Sequence, residues 1–493
     1  MKRNKFSLSN YKLFSANMGT LVPVGMYEAL PGDTIQQATS VLVRCAPLVT
    51  PPMHPVHVRI HHWFVPYRLI WNDWENFITG GPDGLNASVF PTITHGGGTG
   101  LAVGSLGDYL GLTPGVNNLV GSALPFRAYA LIWNEFYRDQ DLETALTIDL
   151  TDGADTTTNV ALQRVAWEKD YFTSSRPWEQ KGPSITIPLG TDAPIYGKNM
   201  PFSAAASGNN FPQVRDAIGS SANLRTLVAD STLVYGNSSA SGTGELRTDL
   251  TQASAVTVNV LREALALQRF EEARARYGSR YTEYLRYLGV RSSDARLQRP
   301  EYLGGGKQTI QFSEVLQTAE GTNPVGTLRG HGISAMRSNR YRRFFEEHGV
   351  VISLMSVRPK TMYVQGIPRH WSRTSKEDFW QRELETIGQQ AVLNKEVYAA
   401  HATPNGTFGY QDRYDEYRRA ESTIAGEFRS SVLDDWHFAR IFASDPALNA
   451  TFVSCDPPER PFASTSNDVL YCMARHSIQA RRLLQRTGRS LTF

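Results

Sequence analysis

"GVVISLMSVRPKTMYVQG", residues 349–366, is the longest strand-like stretch in a chain of 493 residues. β-Branched and other apolar residues dominate it, a composition that favours β-strand. Two more strand-like segments, TSVLVRCAPLVTPPM (39–53) and VHVRIHHWFV (56–65), lie near the beginning of the chain. If strands from both ends pair across hundreds of residues, one sheet system encloses the rest. We therefore predict a single elaborated β domain over residues 1–493.

Helical periodicity is confined to the segments between these strands. Apolar residues recur at helical spacing from Trp63 to Phe77, with Pro66 near the predicted start, in residues 123–138 and in residues 257–277, and a further helix is predicted after Gly278. Residues 151–256 lose this periodicity and become rich in Gly, Ser, Ala, Thr and Asn. That composition indicates an exposed insertion rather than core.

Motifs and cysteine usage argue against an enzyme and against a disulfide-rich or membrane protein. Cys45, Cys455 and Cys472 are too few and too scattered for a disulfide framework or a zinc knuckle. No apolar run approaches the roughly 20 residues of a membrane span. GGGKQ (304–308) lacks the Ser or Thr of a phosphate loop and is predicted to be a glycine-rich turn. We expect no catalytic site and no cofactor.

Four of the eleven histidines are clustered, namely His54, His57, His61 and His62. In an extended strand, His57, Arg59 and His61 share one face while His62 points to the other. Arg59 between two histidines opposes a bound dication, and no carboxylate lies close in sequence, so the pattern disfavours a metal site. We predict a polar strand or a contact between subunits.

Both ends of the chain are basic and contain no acidic residue, although the net charge is only +3. The segment from about 469 to 493 is predicted to form a basic C-terminal tail. Flexible basic ends are typical of polyphosphate binding. The candidate binding residues are Lys2, Arg3, Lys5, Arg475, Arg481, Arg482, Arg486 and Arg489. A second interpretation stays open, in which Ile478, Leu483 and Leu484 dock the tail on a neighbouring subunit.

Seven segments occur in the same order as in one known family. They are LVPVGMYEALPGDT (21–34), FVPYRLIWNDWENF (64–77), LPFRAYALIWNEFYRDQ (124–140), DYFTSSRPWEQKG (170–182), SDARLQRPEYLGGG (293–306), QQAVLNKEVYA (389–399) and FGYQDRYDEYR (408–418). Together they closely resemble the major capsid protein of the gokushoviruses and related Microviridae, small tailless phages with single-stranded DNA. The resemblance spans nearly the whole chain.

The resemblance implies an all-β core formed by an eight-stranded antiparallel jelly roll with long helix-containing loop insertions. It implies that sixty copies form a T=1 icosahedral shell in the virion, around circular single-stranded DNA, after assembly in the host cytoplasm. Implied partners are an internal scaffolding protein, a DNA pilot protein and a small basic DNA-binding protein. Residues about 190–255 match none of the seven segments, and we predict that they form a variable surface insertion that contacts a host receptor. The basic ends are then expected to bind the DNA.

An interpretation from another class stays open beside this one. A β-sandwich carbohydrate-binding protein or glycoside hydrolase would use Trp71, Trp74 or Trp436 as platforms for sugar rings. A persistent monomer with glycosidase turnover favours that class, whereas closed shells favour a capsid protein. The resemblance assigns no role to the histidine cluster, because the corresponding strand of the family is not histidine-rich.

Overall fold

The computed structural model describes residues 3–96, 99–185, 195–197, 202–203, 213–214, 225–226, 246–248, 258–278, 280–291, 293–318 and 324–486. Its strands are β1 (Asn4–Ser7), β2 (Asn10–Ala16), β3 (Val22–Ala29), β4 (Thr34–Cys45), β5 (Val56–Pro66), β6 (Thr92–His95), β7 (Leu119–Ser122), β8 (Ile195–Gly197), β9 (Phe202–Ser203), β10 (Gln213–Val214), β11 (Arg225–Thr226), β12 (Leu246–Thr248), β13 (Glu301–Thr309), β14 (Gln311–Leu316), β15 (Leu328–Arg337), β16 (Tyr341–Phe344), β17 (Gly349–Pro359), β18 (Gln389–Leu393), β19 (Thr407–Asp412) and β20 (Leu470–Arg482).

The α-helices are α1 (Trp74–Thr79), α2 (Leu106–Leu110), α3 (Leu124–Phe136), α4 (Val258–Tyr277), α5 (Tyr281–Tyr287), α6 (Asn394–Val397) and α7 (Ala450–Val453). Short 3-10 helices occur at Tyr67–Leu69, Arg369–Ser372, Lys376–Asp378, Asp415–Tyr417, Gly426–Arg429 and Asp434–Trp436. Among the described residues, no helix combines the length and the apolar character that crossing a membrane requires.

Two antiparallel sheets form the core of the protein. Sheet 1 has the strand order β1-β20-β4-β15-β14, with β2 also paired to β20 and β16 also paired to β4. Sheet 2 has the order β13-β5-β17-β3. The two sheets combine strands from both ends of the chain, and the predicted all-β core is confirmed.

The position of β17 in sheet 2 explains why the sequence of this strand is apolar at almost every position. It pairs with β5 over eleven residues and with β3 on its other edge, so it is a central strand of sheet 2. Val350 and Ile352 pack on one side with residues of α3, while Met355 and Val357 pack on the other side with residues of sheet 1. A strand covered on both faces requires continuous apolar sequence rather than alternation.

The basic C-terminal segment is not a flexible tail over its first part. Residues Leu470–Arg482 form β20, a thirteen-residue strand between β4 on one side and β1 and β2 on the other. Burial alternates along it, because Leu470, Cys472, Ala474, His476, Ile478 and Ala480 point to the buried side. Ile478 is 2% exposed and packs within its own chain against Ile35 and Phe345, so it is unavailable for docking on a neighbouring subunit.

The helix predictions hold in the middle of the chain and fail in part near its beginning. α3 and α4 lie within the two predicted segments, and α5 follows Gly278 as expected. The segment after Pro66 instead forms a 3-10 helix at Tyr67–Leu69 and the separate helix α1. Burial of Ile70 and Trp71 in the core holds the intervening residues in a different geometry.

The predicted glycine-rich turn at residues 304–308 is wrong. These residues belong to β13, which pairs with β5 along a register shifted between Tyr302 and Gly304. A Cβ atom on Gly305 would lie 2.2 Å from the carbonyl oxygen of Ile60. The glycine therefore permits a close approach of two strands rather than a reversal of the chain.

The chain divides into two compact units, one of residues 1–181 with 272–493 and one of residues 182–271. Residues 151–181 belong to the first unit and contain buried aromatic side chains, Trp167 at 2% and Tyr171 at 3% exposure. The prediction of an exposed insertion is therefore wrong for this part. Of the segment at about 190–255, only the short strands β8 to β12 are described, so the surface insertion stays a prediction.

Candidate nucleic-acid interface

Basic side chains occupy outward positions on sheet 1. Lys5 of β1 lies opposite Arg481 of β20, and Tyr11 of β2 lies opposite Arg475 of β20. All four side chains are exposed, and the Arg475 guanidinium lies 5.7 Å from the centre of the Tyr11 ring. Residues directly opposite each other in an antiparallel pair point to the same side, so three of the predicted cations share one surface.

The same surface includes two cations that the analysis of the chain ends missed. Arg475 lies opposite Ser40 of β4, which in turn lies opposite Arg337 of β15. Arg44 of β4 lies opposite Tyr471 of β20. The outward surface of sheet 1 that carries these five cations is hereafter called the basic face. The cations are Lys5, Arg44, Arg337, Arg475 and Arg481. The sequence did contain a signal for Arg44. Side chains alternate between the two faces of a strand, so the face of Arg44 could be counted along the strand predicted within residues 39–53.

The basic face carries apolar side chains and no acidic ones. Strands β1, β2, β4, β15 and β20 contain no Asp or Glu. Between the cations, Tyr11 and Leu13 of β2 are 65% and 79% exposed, and Tyr471 and Met473 of β20 are 49% and 39% exposed. Cations interleaved with exposed aromatic rings suit a single-stranded nucleic acid, because they offer phosphate contacts and stacking surfaces together.

Arg482 departs from the predicted role because it points to the opposite side of β20. Its Nε atom lies 3.0 Å from Oδ2 of Asp33, and its Nη2 atom donates a 2.6 Å hydrogen bond to the carbonyl oxygen of Glu28. Asp33 is fully buried, and burial raises the pKa of its carboxyl group even with Arg482 beside it. Arg482 therefore balances a buried carboxylate of its own chain.

The other predicted cations lie at the margins of sheet 1. Arg3 is exposed, donates a 3.2 Å hydrogen bond to Oγ1 of Thr34, and lies 4.8 Å from the centre of the Phe344 ring. Arg486 is exposed beyond the end of β20. Lys2 and Arg489 lie outside the described residues.

The clustered histidines occupy separate environments. His57, Arg59 and His61 lie on one face of β5 and His62 on the other, as alternation predicts. Nη2 of Arg59 lies 2.6 Å from Oε1 of Glu168. Burial lowers the pKa of His61 to about 4, and its Nδ1 atom lies 2.7 Å from the Tyr137 hydroxyl oxygen.

His54 precedes the strand, and its Nε2 atom lies 2.6 Å from the carbonyl oxygen of Lys360. Burial lowers the pKa of His54 to about 4. In the part of the chain that the structure describes, no three His, Cys, Asp or Glu residues are grouped to hold a metal ion.

His62 belongs to a buried polar network between the two sheets. Its Nδ1 atom lies 2.7 Å from Ser353 Oγ and its Nε2 atom lies 3.2 Å from Ser338 Oγ. The Ser338 hydroxyl oxygen accepts a hydrogen bond from the backbone N–H of Thr39, and Thr39 Oγ1 lies 2.9 Å from Nδ1 of His476. Burial lowers the pKa of His62 to about 3 and also lowers that of His476. These five residues are called the inter-sheet network.

Fold and surface together describe a structural protein built on two packed β-sheets, with buried neutral histidines inside and a basic surface outside. The family described as Capsid protein (F protein) matches residues 1–491, and the chain belongs to this family. The resemblance indicated by the seven segments is thereby confirmed.

Curated relatives are named capsid protein VP1 in three phages. The chain is 38% identical to that of Bdellovibrio phage phiMH2K, over 94% of this chain and 90% of the relative. It is 34% identical to that of Chlamydia phage 1, over 93% of this chain and 90% of the relative. It is 32% identical to that of Spiroplasma virus 4, over 92% of this chain and 88% of the relative. The chain is a major capsid protein of a Microviridae-like phage and so a component of the virus particle.

Proposed function

We propose that sixty copies of this chain form a T=1 icosahedral shell whose subunits are eight-stranded jelly rolls. Strands β2, β4, β15 and β20 belong to sheet 1, and strands β3, β5, β13 and β17 to sheet 2. The orders β2-β20-β4-β15 and β3-β17-β5-β13 support this assignment, because a jelly roll divides eight antiparallel strands between two sheets. The family match over residues 1–491 is the single observation that carries the capsid function.

Self-association is supported by large aromatic side chains exposed on the single chain. Trp371 is 75% exposed, Phe379 is 52% exposed and Trp380 is 51% exposed, all within ten residues. Aromatic residues are enriched at the centres of protein interfaces, where they act as anchors. We assign this cluster to contacts between neighbouring subunits.

Single-stranded DNA is the partner that we assign to the basic face. In this proposal the face points into the shell, where Lys5, Arg475 and Arg481 contact phosphates and Tyr11 and Tyr471 stack on bases. The internal scaffolding protein, the DNA pilot protein and the small basic DNA-binding protein are further partners during assembly in the host cytoplasm. We propose that the insertion at about 190–255 contacts the host receptor.

Assembly is tested by producing the full chain and separating the products by sedimentation, followed by electron microscopy of the fastest fraction. We expect closed shells of sixty copies. Trp371→Ser should reduce the yield of shells without changing the thermal stability of the subunit. Leu13→Ser, on the basic face, is the matched control and should leave the yield unchanged. A chain that stays monomeric under all assembly conditions would contradict the proposal.

The carbohydrate-active alternative loses one of its predicted platforms. Trp71 is 0% exposed and its indole N–H donates to the Asp152 carboxylate, so its ring cannot stack on a sugar. Trp74 and Trp436 are half-buried. Glycosidase turnover by the purified chain would restore that alternative.

A further inference from the structure

A cavity of about 570 Å³ lies beside sheet 2, away from the basic face and the inter-sheet network. Its walls come from β5, β17, the end of α3, residues 166–169 and the residues Gly278, Arg280 and Glu283, all in the first unit. This volume falls within the range of roughly 300–1,000 Å³ that is typical of small-ligand sites.

Several arginines that line this cavity have an Nε–H donor without an acceptor. The Nε atoms of Arg59, Arg138, Arg280 and Arg358 are all shielded from solvent, and none has a hydrogen-bond partner among the residues that the structure describes. Buried N–H groups in native proteins are nearly always paired with protein, water or ligand. These Nε atoms are covered by the protein and cannot contact a ligand themselves, but they mark four guanidinium groups whose hydrogen-bonding capacity the described residues leave unfilled.

The lining carries a positive surplus. Six cationic and four acidic side chains line the cavity, which leaves two formal positive charges. Three of the four acidic side chains already have cationic partners. Arg59 lies 2.6 Å from Glu168, Arg176 lies 3.1 Å from Asp141, and Lys169 contacts Asp139.

Three of the arginines have only neutral partners among the described residues. Arg138 donates to the carbonyl oxygen of Glu143 at 2.8 Å, Arg280 to that of Asn134 at 2.8 Å, and Arg358 to that of Ala166. Burial lowers the pKa of Arg280 and of Arg358, although Glu283 and Glu135 act in the opposite direction on Arg280 and Glu168 does so on Arg358. An anion bound here would add a direct ionic partner that these guanidinium groups lack among the described residues.

We propose that this cavity binds the dianionic phosphate group of a phosphate monoester, or inorganic phosphate itself. Guanidinium forks match phosphate oxygens in geometry, and hydrogen bonds between the two charged groups are strong. A phosphate monoester carries about −1.5 to −2 charges at neutral pH, which matches the surplus, whereas a carboxylate or a backbone phosphodiester carries about −1. The site is separate from the shell-forming and DNA-binding roles proposed above.

Isothermal titration of the purified full chain with inorganic phosphate in chloride buffer tests this site. We expect dimethyl phosphate and acetate, which are monoanions, to bind at least about tenfold more weakly than phosphate. Arg280→Gln and Arg358→Gln should each weaken phosphate binding by about tenfold or more. Arg382→Gln, at an exposed arginine outside the cavity, is the matched control and should bind phosphate like the parent chain.

Arg280 is the safer test position, because Arg358 belongs to the central strand β17 and its replacement can disturb the fold. Equal or tighter binding of dimethyl phosphate or of an oligodeoxynucleotide would overturn the proposal in favour of a phosphodiester. Tighter binding of acetate would overturn it in favour of an acidic peptide, and an unaltered affinity in Arg280→Gln would remove the site. Shell assembly is scored separately, so a chain that binds phosphate without forming shells contradicts only the capsid architecture.

Discussion

The outward and inward faces of sheet 1 use polar residues in opposite ways. On the outward face, Arg475 and Arg481 are exposed and no acidic side chain of the five strands accompanies them. On the inward face, His476 and Arg482, the next residues along the same strand, each bond to a specific partner inside the chain. A basic stretch of sequence in a β-strand therefore does not form a single charged surface. Successive side chains point to opposite faces, so neighbouring cations lie in solvent and in the core.

His476→Leu should have the largest effect, because it removes a side chain that connects the two sheets. His476 is 1% exposed, and its ring nitrogens lie 2.9 Å from Thr39 Oγ1 and 2.8 Å from the carbonyl oxygen of Val24. The variant leaves the buried carbonyl oxygen of Val24 without this partner and leaves Thr39 Oγ1 with only the 3.2 Å hydrogen bond from Gln37, which should lower the free energy of unfolding by about 3 kcal/mol. Urea denaturation of the variant and the parent chain measures this change in the free energy of unfolding. Arg475→Leu is the control and should change stability by less than about 0.5 kcal/mol; equal losses would contradict the comparison.

Arg482→Gln should have the next largest effect and separates the two faces most directly. Its loss leaves the buried carboxylate of Asp33 without its cation, which should lower the free energy of unfolding by about 2 kcal/mol. Arg481→Gln, one residue earlier, removes an exposed charge and should change stability by less than about 0.5 kcal/mol. Thermal denaturation of both variants at the same ionic strength provides the measurement. Similar melting temperatures would show that Arg482 does not act through Asp33.

Acidification should weaken the inter-sheet network, to which the inward face of sheet 1 contributes His476, through His62 of β5. Burial lowers its pKa from an ordinary 6.5 to about 3, so below pH 6.5 the unfolded chain binds a proton that the folded chain does not. Stability is therefore complete above that pH and falls as the pH decreases toward 3. At pH 5.5 the loss from this group should be about 1.4 kcal/mol.

His62→Gln isolates this contribution, because it removes the titrating ring and keeps a side chain that can hydrogen-bond to Ser353 and Ser338. The difference in stability between pH 7.5 and pH 5.5 should be smaller in the variant than in the parent chain. Urea denaturation at the two pH values provides the comparison. If both proteins lose the same stability, His62 does not titrate as its burial requires.

Much of the fold was predictable because the strongest local patterns agreed with it. The largely apolar sequence of β17 and the helical spacing of α3 specify buried elements, and both formed close to the predicted places. Wrong predictions arose where local composition was ambiguous. Glycines such as those of residues 304–308 occur both in turns and in strands that approach closely. The polar segment around Trp167 is anchored by a few aromatic side chains that an average over composition does not reveal.

The sequence predicted that the candidate site is basic, but it did not predict which basic side chains point outward from sheet 1. The acid-free ends predicted Lys5, Arg475 and Arg481 as DNA-binding residues; the structure shows that the three share one surface, and their binding of DNA stays a prediction. The sequence alone did not provide the strand register that adds Arg44 and Arg337 to that surface, nor the inward turn of Arg482. Register depends on pairing between residues more than 400 positions apart, as between Lys5 and Arg481, and no local pattern encodes such a pairing.

Replacing Lys5, Arg475 and Arg481 together with Ser should have the smallest effect on stability and the clearest effect on DNA. Because the three side chains are exposed, we expect the free energy of unfolding to change by less than about 1 kcal/mol in total. Binding of an oligo(dT) strand should weaken, and the slope of log K against log salt should fall by about 2, since each lost phosphate contact contributes about 0.7 for single strands.

The matched control replaces Lys376, Arg382 and Arg418, which are exposed cations outside the basic face. The control has the same net charge as the variant, so any difference between them reports position rather than total charge. If both triple variants reduce the salt slope equally, the DNA responds to the overall charge of the chain, and the basic face has no special role. A lower slope in the first variant alone supports the assignment of the outward face of sheet 1 to DNA, because the inward face is unchanged in both proteins.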